Sequence, residues 1–177
     1  MLLCRFIISN TYSATRASCR HFATGSPRFT TVVEEHLRSG NIIRSCRILS
    51  GNHEAKADLT QESGGSDSGM SPKEHLMAAL GSCTAMTIRT VFENSKSITK
   101  KNTANYSNGW ADAELSGIQV KVTEHGDHPH VPSKLTVEIS LDGKLTDQQK
   151  SRLLAASERC PVKKMLSGNL AIESSLL

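Results

Sequence analysis

Ser71 to Phe92 reads SPKEHLMAALGSCTAMTIRTVF, and its reading decides the fold. Apolar residues recur at Leu76, Met77, Leu80, Ile88 and Val91, the i, i+3, i+4 spacing of a helix with one buried stripe. Small residues, Ala78, Ala79, Gly81, Ser82 and Ala85, fill the gaps and allow a neighbour to pack closely. The start is marked: Ser71 can cap, Pro72 suits the first helical position, and Glu74 completes an S-x-x-E capping box. In the middle stands one thiol, Cys83. It is either a small core filler or a reactive group.

Working outward toward the N-terminus, Gln61 to Gly69 (QESGGSDSG) is Gly- and Ser-rich and reads as a flexible loop. Its glycines do not match a phosphate-binding fingerprint. Before it, Phe29 to Leu37, Asn41 to Leu49 and His53 to Thr60 read as three strands. The turns between them are Ser39-Gly40-Asn41 and Ser50-Gly51-Asn52. In the second strand Ile43, Ser45, Arg47 and Leu49 share one face, and Ile42, Arg44, Cys46 and Ile48 the other. Cys46 there reads as filler.

Beyond the helix, Glu93 to Asp112 is polar and carries no clear period. Gly117 to Glu124 and Lys134 to Leu141 alternate, with Leu135, Val137, Ile139 and Leu141 on the buried face of the second. His125 to Pro132 joins them as a hairpin loop. A second helix starts at Thr146, with Gln149 completing a T-x-x-Q box, and stops at Cys160-Pro161. Val162 to Ser167 suits a last helical turn, and Asn169 to Leu176 a final strand. The order βββ–α–ββ–α–β is α+β, not alternating α/β.

The chain has 177 residues and a net charge of +4. Residues 1–28 hold Arg5, Arg16, Arg20 and Arg28 and no acid, and without those four the remainder carries 17 basic and 17 acidic residues. A nucleic-acid-binding face is therefore not expected. The Arg-, Ser- and Thr-rich, acid-free start has the composition of a mitochondrial transit peptide. Arg20-His21-Phe22-Ala23 resembles a processing site, so cleavage is expected at residues 22–28, with one domain over 29–177 and a matrix location. A secretory signal fits less well, because the apolar run Leu2–Ile8 is broken by Cys4 and Arg5; a disordered start is the third alternative. No run approaches the ~20 apolar residues of a membrane span.

Cys46, Cys83 and Cys160 remain after such cleavage, an odd and widely spaced set without a CxxC pair. It is neither a disulfide framework nor a zinc ribbon. His125, Asp127, His128 and His130 have metal-binding residue types, but on a polar loop no metal is expected, and no cofactor.

SPKEHLMAALGSCTAMTIR around Cys83 and SERCPVKKML around Cys160 resemble the two cysteine motifs of the OsmC/Ohr family of thiol peroxidases, closest to its OsmC-like branch. The resemblance spans roughly Ile42 to Leu176. It implies an OsmC-like fold in an interlocked homodimer with active sites at the subunit interface. It implies that Cys83 attacks a hydroperoxide and becomes a sulfenic acid, that Cys160 resolves it as a disulfide, and that a dithiol, lipoyl or small, reduces the disulfide.

The chemistry has its own requirements. Peroxide is attacked by a thiolate, and a sulfenic acid needs a nearby thiol to escape over-oxidation. Cys83 lies about three turns into its helix, beyond the reach of the N-terminal dipole. In the family an arginine from the N-terminal strands supplies the charge; Arg44 is favoured, with Arg47 and Arg38 as the other candidates. The chain also departs from the hydroperoxide branch, whose catalytic Glu directly follows the proline. Here Lys73 stands in that place and Glu74 comes next. Glu74 either orients the arginine or only caps the helix. Two functions follow: a thiol peroxidase for organic or lipid hydroperoxides in oxidative-stress defence, or a dimeric binding protein that keeps the fold without efficient catalysis.

Overall fold

The computed structural model describes residues 31–34, 45–101, 109–126, 132–168, 170, 172 and 174–176. Three strands, β1 (Thr31–Glu34), β2 (Ser45–Ser50) and β3 (His53–Asp58), form an antiparallel meander. Thr31 pairs with Ser50 and Glu34 with Arg47; Ser45 pairs with Asp58 and Ser50 with His53. The β2–β3 loop is Gly51-Asn52, and Gly51 adopts φ +60°, the left-handed value a II′ hairpin turn needs at its first position. The expected first and second strands extend beyond the described residues, and Arg38 and Arg44 lie outside them.

The third strand ends two residues earlier than expected, for a reason that corrects the loop reading as well. Asp58 is 2% exposed, and its carboxylate gathers the chain that follows. One oxygen accepts from the Leu59 amide (2.8 Å) and the Ser66 amide (3.3 Å). The other accepts from the Ser68 amide (3.1 Å) and the Ser68 hydroxyl. The Asp58 amide in turn donates to the Met70 carbonyl (3.2 Å). The Gly/Ser-rich stretch is thus wrapped around a buried carboxylate and contains a short 3₁₀ turn, Gln61–Ser63. Gly65 permits the wrap, since a Cβ there would fall 2.0 Å from the Leu59 carbonyl oxygen.

The wrapped loop delivers the chain to α1 (Pro72–Lys101). Its capping box is built as expected: the Ser71 amide donates to Glu74 Oε2 (2.7 Å) and the Glu74 amide to Ser71 Oγ (3.3 Å). The helix continues well past Phe92. The polar extension holds no Gly or Pro to stop it, and the Lys96 ammonium anchors it by donating to the Ala113 carbonyl (2.7 Å).

Beyond α1, β4 (Gly117–His125) and β5 (Lys134–Asp142) pair antiparallel from Gly117↔Asp142 to His125↔Lys134. Next comes α2 (Asp147–Ser157), with a complete Thr146/Gln149 capping box, and then α3 (Pro161–Ser167). The core collects Ile88 and Phe92 of α1, Trp110, Ala113 and Leu115 of the connection, and Leu153 of α2. Ile118, Ile139 and Leu141 of the hairpin close it from one side. Phe92 and Trp110 meet edge to face at 5.9 Å. The architecture is α+β, and among the described residues two separate antiparallel sheets accompany one long helix. The expected final strand is not seen: among residues 170, 172 and 174–176 none is in a strand.

Candidate active site

Cys83 sits mid-way along α1, half-buried, and its carbonyl accepts from the Thr87 hydroxyl (2.8 Å). Thr84, the next residue, is 1% exposed and donates to the Leu80 carbonyl (2.8 Å). It lies on the buried stripe between Leu80 and Ile88, so it turns a hydroxyl into an otherwise apolar seam.

Cys160 closes on this point from the other side. It is the residue between α2 and α3 and is 0% exposed. Its amide donates to the Ser157 carbonyl (3.1 Å), and its carbonyl accepts the first bond of α3 from the Lys164 amide (3.1 Å). Pro161 breaks the ladder between the helices and holds Cys160 at the junction. Burial alone pushes the Cys160 thiol up. The Lys163 amide, the Cys83 thiol, the Thr84 hydroxyl and the Val162 amide outweigh it, and the group lies below the ordinary cysteine range. No side-chain cap bond of normal geometry forms at Cys160. The two cysteines, 77 residues apart in sequence, are thereby neighbours, and both are free thiols.

The cations stand as follows. Arg47 is bound across the β2–β3 hairpin by Glu54, Nε–Oε1 at 2.8 Å and NH2–Oε2 at 3.0 Å, and this fork holds the Glu54 carboxyl below its usual range. Lys73 reaches from the first turn of α1 to Glu124 near the end of β4, at 2.7 and 3.0 Å. Glu74 is committed to the cap, and the bond from the Ser71 amide lowers its carboxyl.

An open groove of about 480 Å³ runs between α1 and β4, lined by Met77, Gly81, Ser82, Ala85, Val120 and Val122 among others. At about 3.6 residues per turn, Cys83 falls roughly on the opposite side of α1, so this groove is not its access path. Among the described residues no group of three or more His, Cys, Asp or Glu could hold a metal ion. Asp127, His128 and His130 lie outside them. Also among the described residues, no helix is long and apolar enough to cross a membrane.

The model of the OsmC-like protein family matches residues 65–175, from the wrapped loop through both cysteines. The chain belongs to that family. Solved structures agree with this OsmC-like fold. An OsmC-like protein from Mycoplasma pneumoniae is 14% identical, covers 80% of this chain and 89% of its own, and has a TM-score of 0.56. An OsmC-like protein of unknown function from Vibrio cholerae is 14% identical, with 80% and 95% covered and a TM-score of 0.55. The organic hydroperoxide resistance protein OsmC from Legionella pneumophila is 20% identical, with 81% and 93% covered and a TM-score of 0.50. No curated protein resembles the chain closely enough to count as a match.

Of the site residues expected in this OsmC-like chain, Cys83 and Cys160 are brought together. Arg44, the favoured cation, lies outside the described residues, and Glu74 sits at the cap. Thr84 was not singled out in the sequence. Its signal was available there: a polar residue four from Leu80 and four from Ile88, in the middle of an apolar stripe.

Proposed function

We propose that the chain is a thiol-dependent peroxidase that reduces organic or lipid hydroperoxides and serves oxidative-stress defence. The observation that carries the reading is the half-buried Cys83 beside the wholly buried Cys160. Cys83, with the greater access to solvent, attacks the peroxide oxygen, becomes a sulfenic acid and releases an alcohol. Cys160 then attacks the sulfenic sulfur, forms a disulfide and expels water. A dithiol, small or lipoyl-bearing, restores both thiols by exchange. The name of the Legionella protein, organic hydroperoxide resistance, supports the substrate class.

In this proposal Arg44 of the N-terminal strands faces Cys83 and stabilises its thiolate, because Arg47 is already held by Glu54. Glu74 is assigned to the cap. A homodimer is part of the reading, supported by exposed apolar side chains at Leu76 and Met86 on α1 and at Leu170, Ile172 and Leu176. So is a mitochondrial matrix location after removal of the Arg-rich start, supported by its composition.

The second reading, a dimeric binding protein with little catalysis, draws on one observation. Where the hydroperoxide branch has its acid the chain has Lys73, and Lys73 is paired with Glu124. Consumption of cumene hydroperoxide by the purified chain with dihydrolipoamide or dithiothreitol separates the two. The peroxidase reading expects turnover that Cys83→Ser abolishes. No consumption, or consumption indifferent to that substitution, leaves the binding reading.

A further inference from the structure

The side of α1 that faces β4 carries two cations that the chemistry at Cys83 does not use. Arg89 and Lys96 stand about two turns apart, about 10 Å of helix rise, on one face of α1. Both lean over the Phe92 ring between them, 6.0 and 5.7 Å from its centroid. Each donates to a neutral carbonyl, Arg89 to Leu115 (2.6 Å) and Lys96 to Ala113 (2.7 Å). Those bonds fix the two side chains and leave both charges, with donors to spare on each. Glu93, one turn beyond Arg89, stands 3.9 Å from it, outside hydrogen-bonding distance, with its side chain 62% exposed. Glu114 also borders this place but, among the described residues, forms no ion pair with either cation.

The cations line a hollow of about 400 Å³ between α1 and the Glu114–Ser116 connection. Arg89 and Ser116 also line a second hollow of about 400 Å³, together with Ala85 and Ile118. Ala85 in turn lines the groove of about 480 Å³ between α1 and β4. The three adjoin as one trench. Its floor is small, Ala78, Gly81, Ser82 and Ala85 at i, i+3, i+4 and i+7 of α1. Its wall is Ile118, Val120 and Val122, alternate and half-buried residues of β4.

We propose that this trench binds a monomeric long-chain carboxylate, with the carboxylate between Arg89 and Lys96 and the aliphatic chain laid along β4. It is a second site, on the far side of α1 from Cys83, and it does not depend on the peroxidase reading. Charge selects the head. Two cations over one ring repel, an anion between them relieves the repulsion, and a guanidinium forks onto a carboxylate. Length and polarity select the tail. From Ala78 to Arg89 the helix rises about 16 Å. At a C–C bond of about 1.5 Å, an extended chain of about twelve carbons spans about 14 Å. Such a chain takes the half-buried valines and isoleucine of the wall out of water. A short anion leaves them wet, and a peptide brings amides against an apolar wall. Phe92 lies under the proposed carboxylate and meets Trp110, the chain's one tryptophan, edge to face at 5.9 Å, so occupancy has an intrinsic reporter.

The test is calorimetric titration of the full chain with laurate below its micelle concentration, with Trp110 fluorescence followed in parallel. Acetate supplies the head alone, and dodecyltrimethylammonium the same chain with the opposite charge. Saturable binding of laurate, about one per chain, is expected, with no saturable binding of the other two. Lys96→Met and Arg89→Gln are each expected to weaken laurate at least about tenfold, the loss of a hydrogen-bonded charge. Ala85→Leu, which fills the floor and removes no hydrogen bond, is expected to abolish binding with helix content unchanged. Absence of saturable laurate binding overturns the proposal, as does equal binding of the cationic chain, or laurate binding indifferent to Ala85→Leu and to both charge variants. A dimer in sedimentation that binds no laurate gives the trench to a second copy and overturns it as well. Should Arg89→Gln or Lys96→Met fail to fold, because each side chain also anchors a carbonyl, Ala85→Leu and the two control ligands decide. No peroxide is used, so failure here leaves the peroxidase reading untouched, and a chain that consumes no peroxide leaves this one untouched.

Discussion

Three side chains have jobs that a pattern alone leaves open. Glu74 closes the capping box, and Glu74→Ala is expected to cost about 1 kcal/mol in denaturant unfolding. Glu74→Gln keeps the box geometry and is expected to leave stability and hydroperoxide turnover near the parent values. A large loss of turnover in that variant would return the carboxylate to catalysis. Cys160→Ser is expected to leave the first oxidation of Cys83 detectable by a sulfenic-acid probe and to let it proceed to sulfinic acid, seen as added oxygen in intact mass. That Cys83 and Cys160 meet was implied by the resemblance of their motifs and not by their spacing, because α1 packing against α2 and α3 is what brings them together. The sequence left three candidate arginines, Arg38, Arg44 and Arg47; of these only Arg47 is among the described residues, where it forms a fork with Glu54.

At the scale of elements, capping and alternation read well and endings read badly. The Ser71 and Thr146 boxes and the β4–β5 hairpin stand where local chemistry put them. The length of α1 did not, since its last turns are anchored by Lys96 on the Ala113 carbonyl, a contact far away in sequence. The loop after β3 was read as flexible from its Gly and Ser content, whereas a single carboxylate organises it. The Ser68 hydroxyl foremost, then the Ser68, Ser66 and Leu59 amides, outweigh the cost of burial and lower Asp58 from 3.8 to about 2. A depressed carboxylate stabilises above its unfolded value and loses that contribution as pH falls through the folded one. Acid unfolding is therefore expected to show an Asp58 component between 3.8 and about 2, absent in Asp58→Asn. Gly65→Ala is expected to destabilise the same loop, because its Cβ would strike the Leu59 carbonyl. In the core, Leu153→Ala is expected to cost about 3 kcal/mol, since the side chain is wholly buried between α2 and α1.

For the whole molecule, the two sheets do not join among the described residues, and exposed apolar side chains remain on α1 and near the C-terminus. The proposed homodimer would cover them. Met86→Glu, at a side chain 69% exposed, is expected to shift sedimentation toward monomer while leaving helix content unchanged. The α+β class was legible from element order, and the OsmC-like family from its two cysteine motifs. The last strand, expected over Asn169–Leu176, is not found among the described residues there, and alternation alone says nothing of what it would pair with.

The central claim is that Cys83 and Cys160 form one redox pair driven by hydroperoxide. Its most direct test is peptide mass mapping of the reduced chain after one equivalent of cumene hydroperoxide, without dithiol. The account predicts a Cys83–Cys160 disulfide, absent in Cys83→Ser, with Cys46 still reduced. Unmodified Cys83 and Cys160 beside unreacted peroxide would contradict it.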